Sequence, residues 1–208
     1  MVKRNLYNQI VDTAMEIAND TSWEAVRLHD VADRLSLNLE QVHAHFREKE
    51  DIVDAWFDRA DRQMLETAAD SDLIQLETAD QLTKVMMNWF DALAPYRRVT
   101  RQMIFGKLEF GHLHYQVLGA MRVSRTVQWM REAAQRDAQL PWRAIEETAL
   151  TTFYLATFFY WMFDSSANSE RTRRRLSCRL ERAARIARCF PYQGGPASQK
   201  ASPLPPST

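Results

Sequence analysis

Apolar residues recur at intervals of three and four along most of the chain, the spacing of one helix face. Residues 4–20 show this pattern clearly, with acidic and amide side chains on the opposite face. The apolar positions of this stretch are Leu6, Ile10, Ala14, Ile17 and Ala18. The alternation predicts an amphipathic helix whose apolar face packs against a core.

Two shorter patterns follow this first helix. An apolar stripe from Leu28 to Leu35 predicts a second helix, and residues 36–38 form a turn. Asn38, with Gln41 three residues later, predicts a capping box at the start of a third helix. The inner face of that third helix carries Leu39, Val42 and Phe46. Two short helices joined by a three-residue turn are typical of a helix-turn-helix.

Six further helices are predicted beyond the turn. Their ranges are about 49–69, 77–93, 97–110, 115–136, 143–163 and 169–189. Only Pro95 and Pro141 interrupt the first 190 residues, which excludes a turn-rich β fold. Pro95 ends the helix at 77–93, and Pro141 opens the helix at 143–163. The predicted fold class is all-α, with an N-terminal three-helix helix-turn-helix domain followed by a larger helical domain.

The domain boundaries follow from these patterns. Residues 1–48 form the helix-turn-helix domain and residues 49–190 the larger domain. Residues 191–208 are rich in proline and poor in apolar side chains, so we expect a disordered tail. The uncharged stretch at residues 148–163 has sixteen residues, fewer than the roughly 20 that span a bilayer, and indicates a buried helix.

The chain has the features expected of a cytoplasmic protein. No apolar signal segment follows Met1, so we expect neither secretion nor a membrane span. Cys178 and Cys189 both fall on the last predicted helix, roughly 16 Å apart along its axis. That separation is beyond the reach of a disulfide within one straight helix, and we expect both thiols to be reduced.

The formal net charge of zero conceals an asymmetry along the chain. Residues 1–60 carry seven Lys and Arg against twelve Asp and Glu, a balance of −5. Residues 61–208 carry twenty against fifteen, a balance of +5. A nucleic-acid-binding domain ordinarily carries a net positive charge on the surface that contacts the nucleic acid.

Residues 4 to about 57 resemble the DNA-binding domain of the TetR family of bacterial transcriptional regulators. The matching residues are Ile10-Val11-Asp12-Thr13-Ala14, Trp23, Arg27-Leu28-His29-Asp30-Val31-Ala32, Val42, His45-Phe46 and Lys49-Glu50-Asp51-Ile52. Their order and spacing are specific together. The resemblance covers about a quarter of the chain and implies a second helical domain for dimerisation and ligand binding.

The chain departs from the family pattern at four places. Ser36 stands where the turn usually has glycine, and Val26 where a Ser or Thr usually caps the second helix. His43 replaces an aromatic residue, commonly Tyr. Leu39-Glu40 opens a recognition helix that often starts with small or basic residues. These changes weaken the case for DNA binding more than the case for the fold.

The outer face of the third helix is the candidate DNA-binding surface. Asn38, Leu39, Gln41 and His43 would lie near base edges, since Gln bonds adenine and an apolar side chain meets a thymine methyl. The residues expected nearer phosphates are Arg27, His45, Arg47 and Lys49. The alternative is a retained scaffold that no longer touches DNA, which the acidic balance favours.

The predicted helix at residues 143–163 contains the segment FYLATFFYWMF, with seven aromatic residues in eleven. Most of these belong to a helical core, but they cover nearly the whole circumference. We therefore expect this helix to pack against a partner subunit or a ligand as well as against its own core, and we expect an apolar ligand pocket. The family resemblance implies a homodimer contact through the last two helices. The candidate pocket residues are Trp89, Phe110, His112, His114, Trp129, Phe153, Phe158 and Trp161.

Other candidate sites have weaker patterns. The last helix has eight arginines between residues 171 and 188, which are typical of a solvated face, although a nucleic-acid or anionic-lipid contact is an alternative. Glu109, His112 and His114 are metal-ligand types, but their spacing fits no established metal motif, and no metal or cofactor is predicted. No phosphate loop, nucleophile elbow or catalytic triad is present, so no enzyme is predicted.

The sequence therefore predicts a DNA-binding regulator, a repressor released by a small apolar or amphipathic effector. The effector would bind among the helices of residues 77–163 and move the helix at 49–69. The two recognition helices of a dimer would then leave the roughly 34 Å spacing of successive major grooves. The alternative is a lipid-binding protein of the same fold that does not bind DNA, similar to the accessory protein of ubiquinone biosynthesis.

Overall fold

A computed structural model describes residues 2–68, 71–73, 75–108, 113–134 and 142–187. These residues form α-helices and short turns, with no β-strand among them. The helices are α1 (Val2–Asp20), α2 (Leu28–Arg34), α3 (Leu39–His43), α4 (Lys49–Ala68), α5 (Thr78–Leu93), α6 (Arg97–Leu108), α7 (Leu113–Ala133), α8 (Trp142–Trp161) and α9 (Glu170–Ala187). The predicted all-α fold is confirmed.

Each helix predicted from the sequence is present, with ends that differ by a few residues. α5 ends at Leu93, and a single 3₁₀ turn at Ala94–Tyr96 contains Pro95 before α6 begins. The ring of Pro95 fixes φ and removes a backbone donor, which explains this break. Pro141, Cys189 and the predicted tail at 191–208 lie outside the described residues. The boundaries at residues 48 and 190 stay predictions.

The N-terminal helices pack around one apolar cluster. Its fully buried members include Ile10, Val11, Ala14, Val31, Val42 and Phe46. The cluster continues along α4, which packs extensively against α5. α4 therefore links the helix-turn-helix to the larger helical domain, and a shift of α4 would reach both.

α6 makes a second connection between the two parts of the chain. Gln102 accepts a hydrogen bond from the backbone N–H of Trp23 at 2.9 Å, and Arg98 donates to the carbonyl of Asn19. On the same helix, Arg97 donates to the Ser169 hydroxyl at 2.6 Å and to the carbonyl of Asp164. α6 thus binds the α1–α2 loop and the α8–α9 turn together.

The Asp164 carboxylate organises the turn between α8 and α9. It accepts hydrogen bonds from the backbone N–H and hydroxyl groups of Ser166 and Thr172, at 2.6 to 2.9 Å. Although burial raises the pKa of Asp164, these four hydrogen bonds lower it to about 2. The turn also holds Asn168 and Ser169 at positive φ, which its hydrogen bonds support.

No helix in the described residues is both long enough and apolar enough to cross a membrane. Cys178 lies half-buried on α9 as a free thiol.

Candidate DNA-binding surface

The turn between α2 and α3 is a Schellman motif. The N–H of Leu37 donates to the carbonyl of Ala32 at 2.8 Å, and that of Ser36 to the carbonyl of Asp33 at 3.1 Å. Ser36 has φ of 55°, the left-handed conformation that this motif requires and glycine adopts most readily. The predicted turn is therefore confirmed, and Ser36 adopts the left-handed conformation although it has a side chain.

α3 begins with the predicted capping box. The Asn38 side-chain oxygen accepts from the N–H of Gln41 at 2.8 Å, and Gln41 Oε1 accepts from the N–H of Asn38 at 3.0 Å. Val42 and Phe46 are buried beneath the helix. A five-residue helix is not stable alone, so the cap and these two anchors fix its orientation.

The N-terminus of α4 closes the surface. Asp51 Oδ2 accepts from the N–H groups of Arg47 at 2.8 Å and Glu48 at 3.1 Å. Lys49 Nζ donates to the carbonyl of Glu24 at 3.2 Å and lies 4.8 Å from the centroid of the Trp23 ring. Burial lowers the pKa of Lys49, and acidic neighbours at Glu50 and Glu24 oppose that shift.

The residues predicted to face DNA lie on the helix-turn-helix and at the start of α4, and most of them are exposed. Arg27, Asn38, Leu39, Gln41, His43 and Arg47 are all exposed, and Leu39 exposes 55% of its surface. His45 and Lys49 are half-buried; His45 meets the Tyr7 ring edge-on at 6.4 Å. The polar side chains of Asn38 and Gln41 are already used by the capping box, which the base-reading prediction did not consider.

One sequence assignment on this surface is wrong. Val26 was expected at the cap of α2, but Arg27 occupies that position, with extended backbone and no side-chain cap hydrogen bond. Val26 is instead buried in the core. The helix starts one residue later because the carbonyl of Arg27 accepts the first two helical hydrogen bonds, from Asp30 and Val31.

Three of the predicted pocket residues fill an aromatic core instead of lining a space. Trp89 is 1% exposed, and Phe158 and Trp161 are buried beside it. Phe90 stacks on Trp161 at 5.6 Å and on Phe158 at 6.0 Å. Because these rings pack tightly against one another, we assign them a structural role in the core.

The other predicted pocket residues lie elsewhere. Trp129 is on a cavity between α1, α4 and α7, and Phe153 is on an apolar groove between α5, α8 and α9. Phe110 and His112 lie outside the described residues, as does the side chain of His114. Glu109, the third residue considered for a metal, also lies outside them. The described residues therefore do not form the single pocket that the sequence predicted.

A buried polar network on α4 was missed. Asp61 accepts from Trp89 Nε1 at 2.7 Å, from the Thr126 hydroxyl at 3.1 Å and from Arg122 at 3.3 Å. Burial raises the pKa of Asp61, while these three donors oppose the rise. The signal was present in the sequence, because Asp61 lies four residues after Phe57 and three before Met64 on the buried face of α4.

This geometry defines a class of protein: a helix-turn-helix with an exposed recognition helix, joined through α4 and α6 to a larger helical domain. Solved structures share the fold. The chain is 52% identical to the TetR transcriptional regulator from Nitrosomonas europaea, over 86% of this chain and 98% of that one, with a TM-score of 0.79. The chain therefore belongs to the TetR family of transcriptional regulators.

Two more distant structures agree with the fold. The TetR family transcriptional regulator PfmR from Thermus thermophilus is 15% identical, with a TM-score of 0.52 over 83% of this chain and 97% of that one. A bacterial regulatory protein in the TetR family from Rhodococcus is also 15% identical, with a TM-score of 0.50 over 84% and 95%. A scan of protein-family models and a search of curated proteins found no match.

Proposed function

We propose that this protein is a homodimeric, sequence-specific DNA-binding repressor that a small apolar or amphipathic effector releases. The observation that carries the proposal is the recognition helix, since α3 is capped at Asn38, anchored by Val42 and Phe46, and exposed along its outer face. A helix positioned so firmly with a polar, solvent-facing side suits entry into a major groove.

The DNA contacts we propose follow from exposure on this surface. Leu39 and His43 lie free of the capping box and face base edges, Leu39 as an apolar partner for a thymine methyl. Asn38 and Gln41 can reach bases through the amide hydrogens that the box leaves available. Arg27, Arg47, His45 and Lys49 are assigned to phosphates, with Lys49 already held by Glu24 and Trp23.

The dimer contact we propose uses α8 and α9. Side chains along one line of α8 and its extension are exposed although many are apolar or small: Ile145, Ala149, Thr152, Ala156, Phe159 and Phe163. An exposed line of this length is unusual in a monomer, and small residues at its centre let a second helix approach closely. The two-fold symmetry of a dimer would present two recognition helices to successive major grooves.

The effector site we propose is the apolar groove that Phe153 lines. It has a volume of about 420 Å³, within the range of small-molecule sites. Its walls are Leu82 and Ala79 on α5, Leu150 and Phe153 on α8, and Leu180 and Ala183 on α9. An occupant would separate α5 from α8 and α9, and α5 packs on α4, so the disturbance would reach the recognition helices.

Binding to the DNA flanking the protein's own gene tests the proposal. Equilibrium titrations in a salt series, with a scrambled duplex of equal length as control, should reveal one high-affinity site. Glu40→Gln should tighten binding to both duplexes, because Glu40 is exposed on α3 and repels phosphate. If no duplex binds above the scrambled control and Glu40→Gln changes nothing, the lipid-binding alternative is preferred.

Apolar and amphipathic compounds test the effector part. A ligand that binds only the folded protein raises the melting temperature by mass action. Phe153→Ala should reduce that rise, with Phe105→Ala as a control because Phe105 is exposed on α6 away from the groove. A broad panel of lipids and aromatic compounds that produces no rise would remove the effector from the proposal.

A further inference from the structure

A second cavity lies where the helix-turn-helix meets the larger domain. It has a volume of about 480 Å³ and is bounded by α1, α4 and α7. The residues that matter here are Tyr7 from α1, Arg62 and Leu65 from α4, and Arg125 and Trp129 from α7. No residue of the apolar groove takes part, so the two spaces are separate.

The acidic groups of this cavity are already paired. Asp58 binds Arg122 at 2.9 Å, and Asp61 is bound by Trp89, Thr126 and Arg122. Arg62 and Arg125, by contrast, are exposed and have no hydrogen-bond or ion-pair partner within the described part of the chain. Among the charged side chains that line the cavity, the two that remain unpaired are therefore the guanidinium groups of Arg62 and Arg125.

Aromatic surface accompanies these cations. Trp129 exposes 46% of its surface on the cavity wall, and the half-buried Tyr7 ring contributes another face. Leu65 adds an aliphatic contact. Guanidinium forks match carboxylates in geometry, and aromatic walls select planar apolar bodies. We propose that this cavity binds an aromatic carboxylate, with the carboxylate on Arg62 and Arg125 and the ring system beside Tyr7 and Trp129.

The position of Tyr7 gives this site a direct route to the recognition helix. Tyr7 stacks on Phe46 with 4.6 Å between ring centroids, and Phe46 anchors the end of α3. An occupant that displaces Tyr7 acts on α3 without passing through the apolar groove. The carboxylate site itself goes beyond the proposed repressor function. Its effect on DNA binding rests on that function: if the carboxylate changes the affinity for DNA, then DNA changes the affinity for the carboxylate by the same factor.

The test uses 1-naphthoate as the probe and the full-length protein, with calorimetric titration as the readout. We expect one site per subunit. Arg62→Ala and Arg125→Ala should each weaken binding by about tenfold to a hundredfold, as loss of a charge-assisted hydrogen bond does. Arg174→Ala is the matched control, because Arg174 is on α9 with 79% of its side chain exposed and should leave affinity unchanged.

A neutral analogue, 1-naphthalenemethanol, separates this site from the apolar groove. It should bind at least tenfold more weakly than naphthoate, whereas Phe153→Ala should leave naphthoate affinity unchanged. Equal binding of acid and alcohol, equal binding by the arginine variants, or no binding of naphthoate would overturn the inference. DNA titration of the ligand-free protein is independent of all three results, so a failure of the proposed repressor function is distinguished from a failure of this site.

Discussion

The turn between α2 and α3 places a side chain where the backbone has a positive φ. A left-handed conformation costs a residue with a Cβ about 1–2 kcal/mol. Glycine avoids this cost, but its larger conformational entropy in the unfolded chain offsets part of the gain in stability. We expect Ser36→Gly to raise the free energy of unfolding by about 0.5–1 kcal/mol. Denaturant unfolding measures this, and Ser36→Ala serves as the control because it keeps the Cβ and should gain nothing.

Gln41 has two possible roles on α3, and substitutions can separate them. Glu at the same position retains the acceptor for the N–H of Asn38, as in ordinary capping boxes, but lacks the amide donor that adenine recognition needs. Gln41→Glu should therefore keep the melting temperature and lose about 1–3 kcal/mol of discrimination at one base pair per half-site.

The comparison uses two duplexes that differ at that base pair, so that the general repulsion of phosphate by the new charge cancels. Gln41→Ala should lose both the discrimination and the cap, and its helix should be less stable by about 0.5–1 kcal/mol. Unchanged discrimination in Gln41→Glu would assign Gln41 to capping alone.

Among the elements, the α8–α9 turn depends on one carboxylate with four donors. The pKa of Asp164 is lower in the folded chain than in the unfolded chain, so ionised Asp164 stabilises the fold above about pH 4. That stabilisation is lost as the pH falls through about 2. Asp164→Asn should cost about 2 kcal/mol at neutral pH, because an amide cannot accept at both positions.

Unfolding measured at several pH values checks this prediction. The difference between wild type and Asp164→Asn should shrink as the pH falls below about 4. Thr172→Val is the matched control, since it removes one hydroxyl donor and leaves the backbone donor to Asp164 intact. A difference that stays constant down to pH 2 would contradict the role given to the charge.

The helices were predictable from the sequence because each buries one face, and the period of apolar residues reports that face directly. The capping box was predictable for a similar reason, since Asn38 and Gln41 interact locally. The sequence did not predict whether the aromatic side chains line a pocket or pack in the core, because an apolar helix face has the same pattern whether it contacts a ligand or another helix. The sequence pattern of Trp89 and Phe158 therefore fits a pocket as well as a core, and the structure has both residues buried in the core.

At the scale of the whole molecule, the exposed line along α8 predicts the oligomeric state. Phe159→Arg places a charge within the proposed contact and should convert the dimer to a monomer at micromolar concentration. Sedimentation velocity measures this. Met121→Arg is the control, since Met121 is equally an exposed apolar residue but lies on α7. A wild-type monomer, or a Phe159→Arg dimer, would reject the α8 contact.

We expect the cations of the helix-turn-helix to set the salt dependence of operator binding. Arg27, Arg47 and Lys49, with Lys3 and Arg4 near the N-terminus, allow about three to five phosphate contacts per subunit. The log–log slope for a dimer should therefore lie at roughly −5 to −9. Lys49→Ala should flatten it by up to about two units, one per subunit, and weaken every sequence alike.

The Lys49 substitution also removes a side chain that packs on Trp23, so its unfolding is measured beside its DNA binding. A flatter slope with an unchanged melting temperature identifies a phosphate contact. A lower melting temperature with an unchanged slope identifies a structural role in holding the α1–α2 loop.

The acidic balance of residues 1–60 has a kinetic consequence. Proteins that slide along chromosomal DNA are held there by a cationic surface, which shortens the search for a target but keeps most copies on nonspecific sequence. A DNA-binding domain with a net charge of −5 should bind only weakly to nonspecific DNA. We expect this regulator to search by repeated collisions from solution, so that more of its copies stay free and are available to meet an effector before they meet the operator.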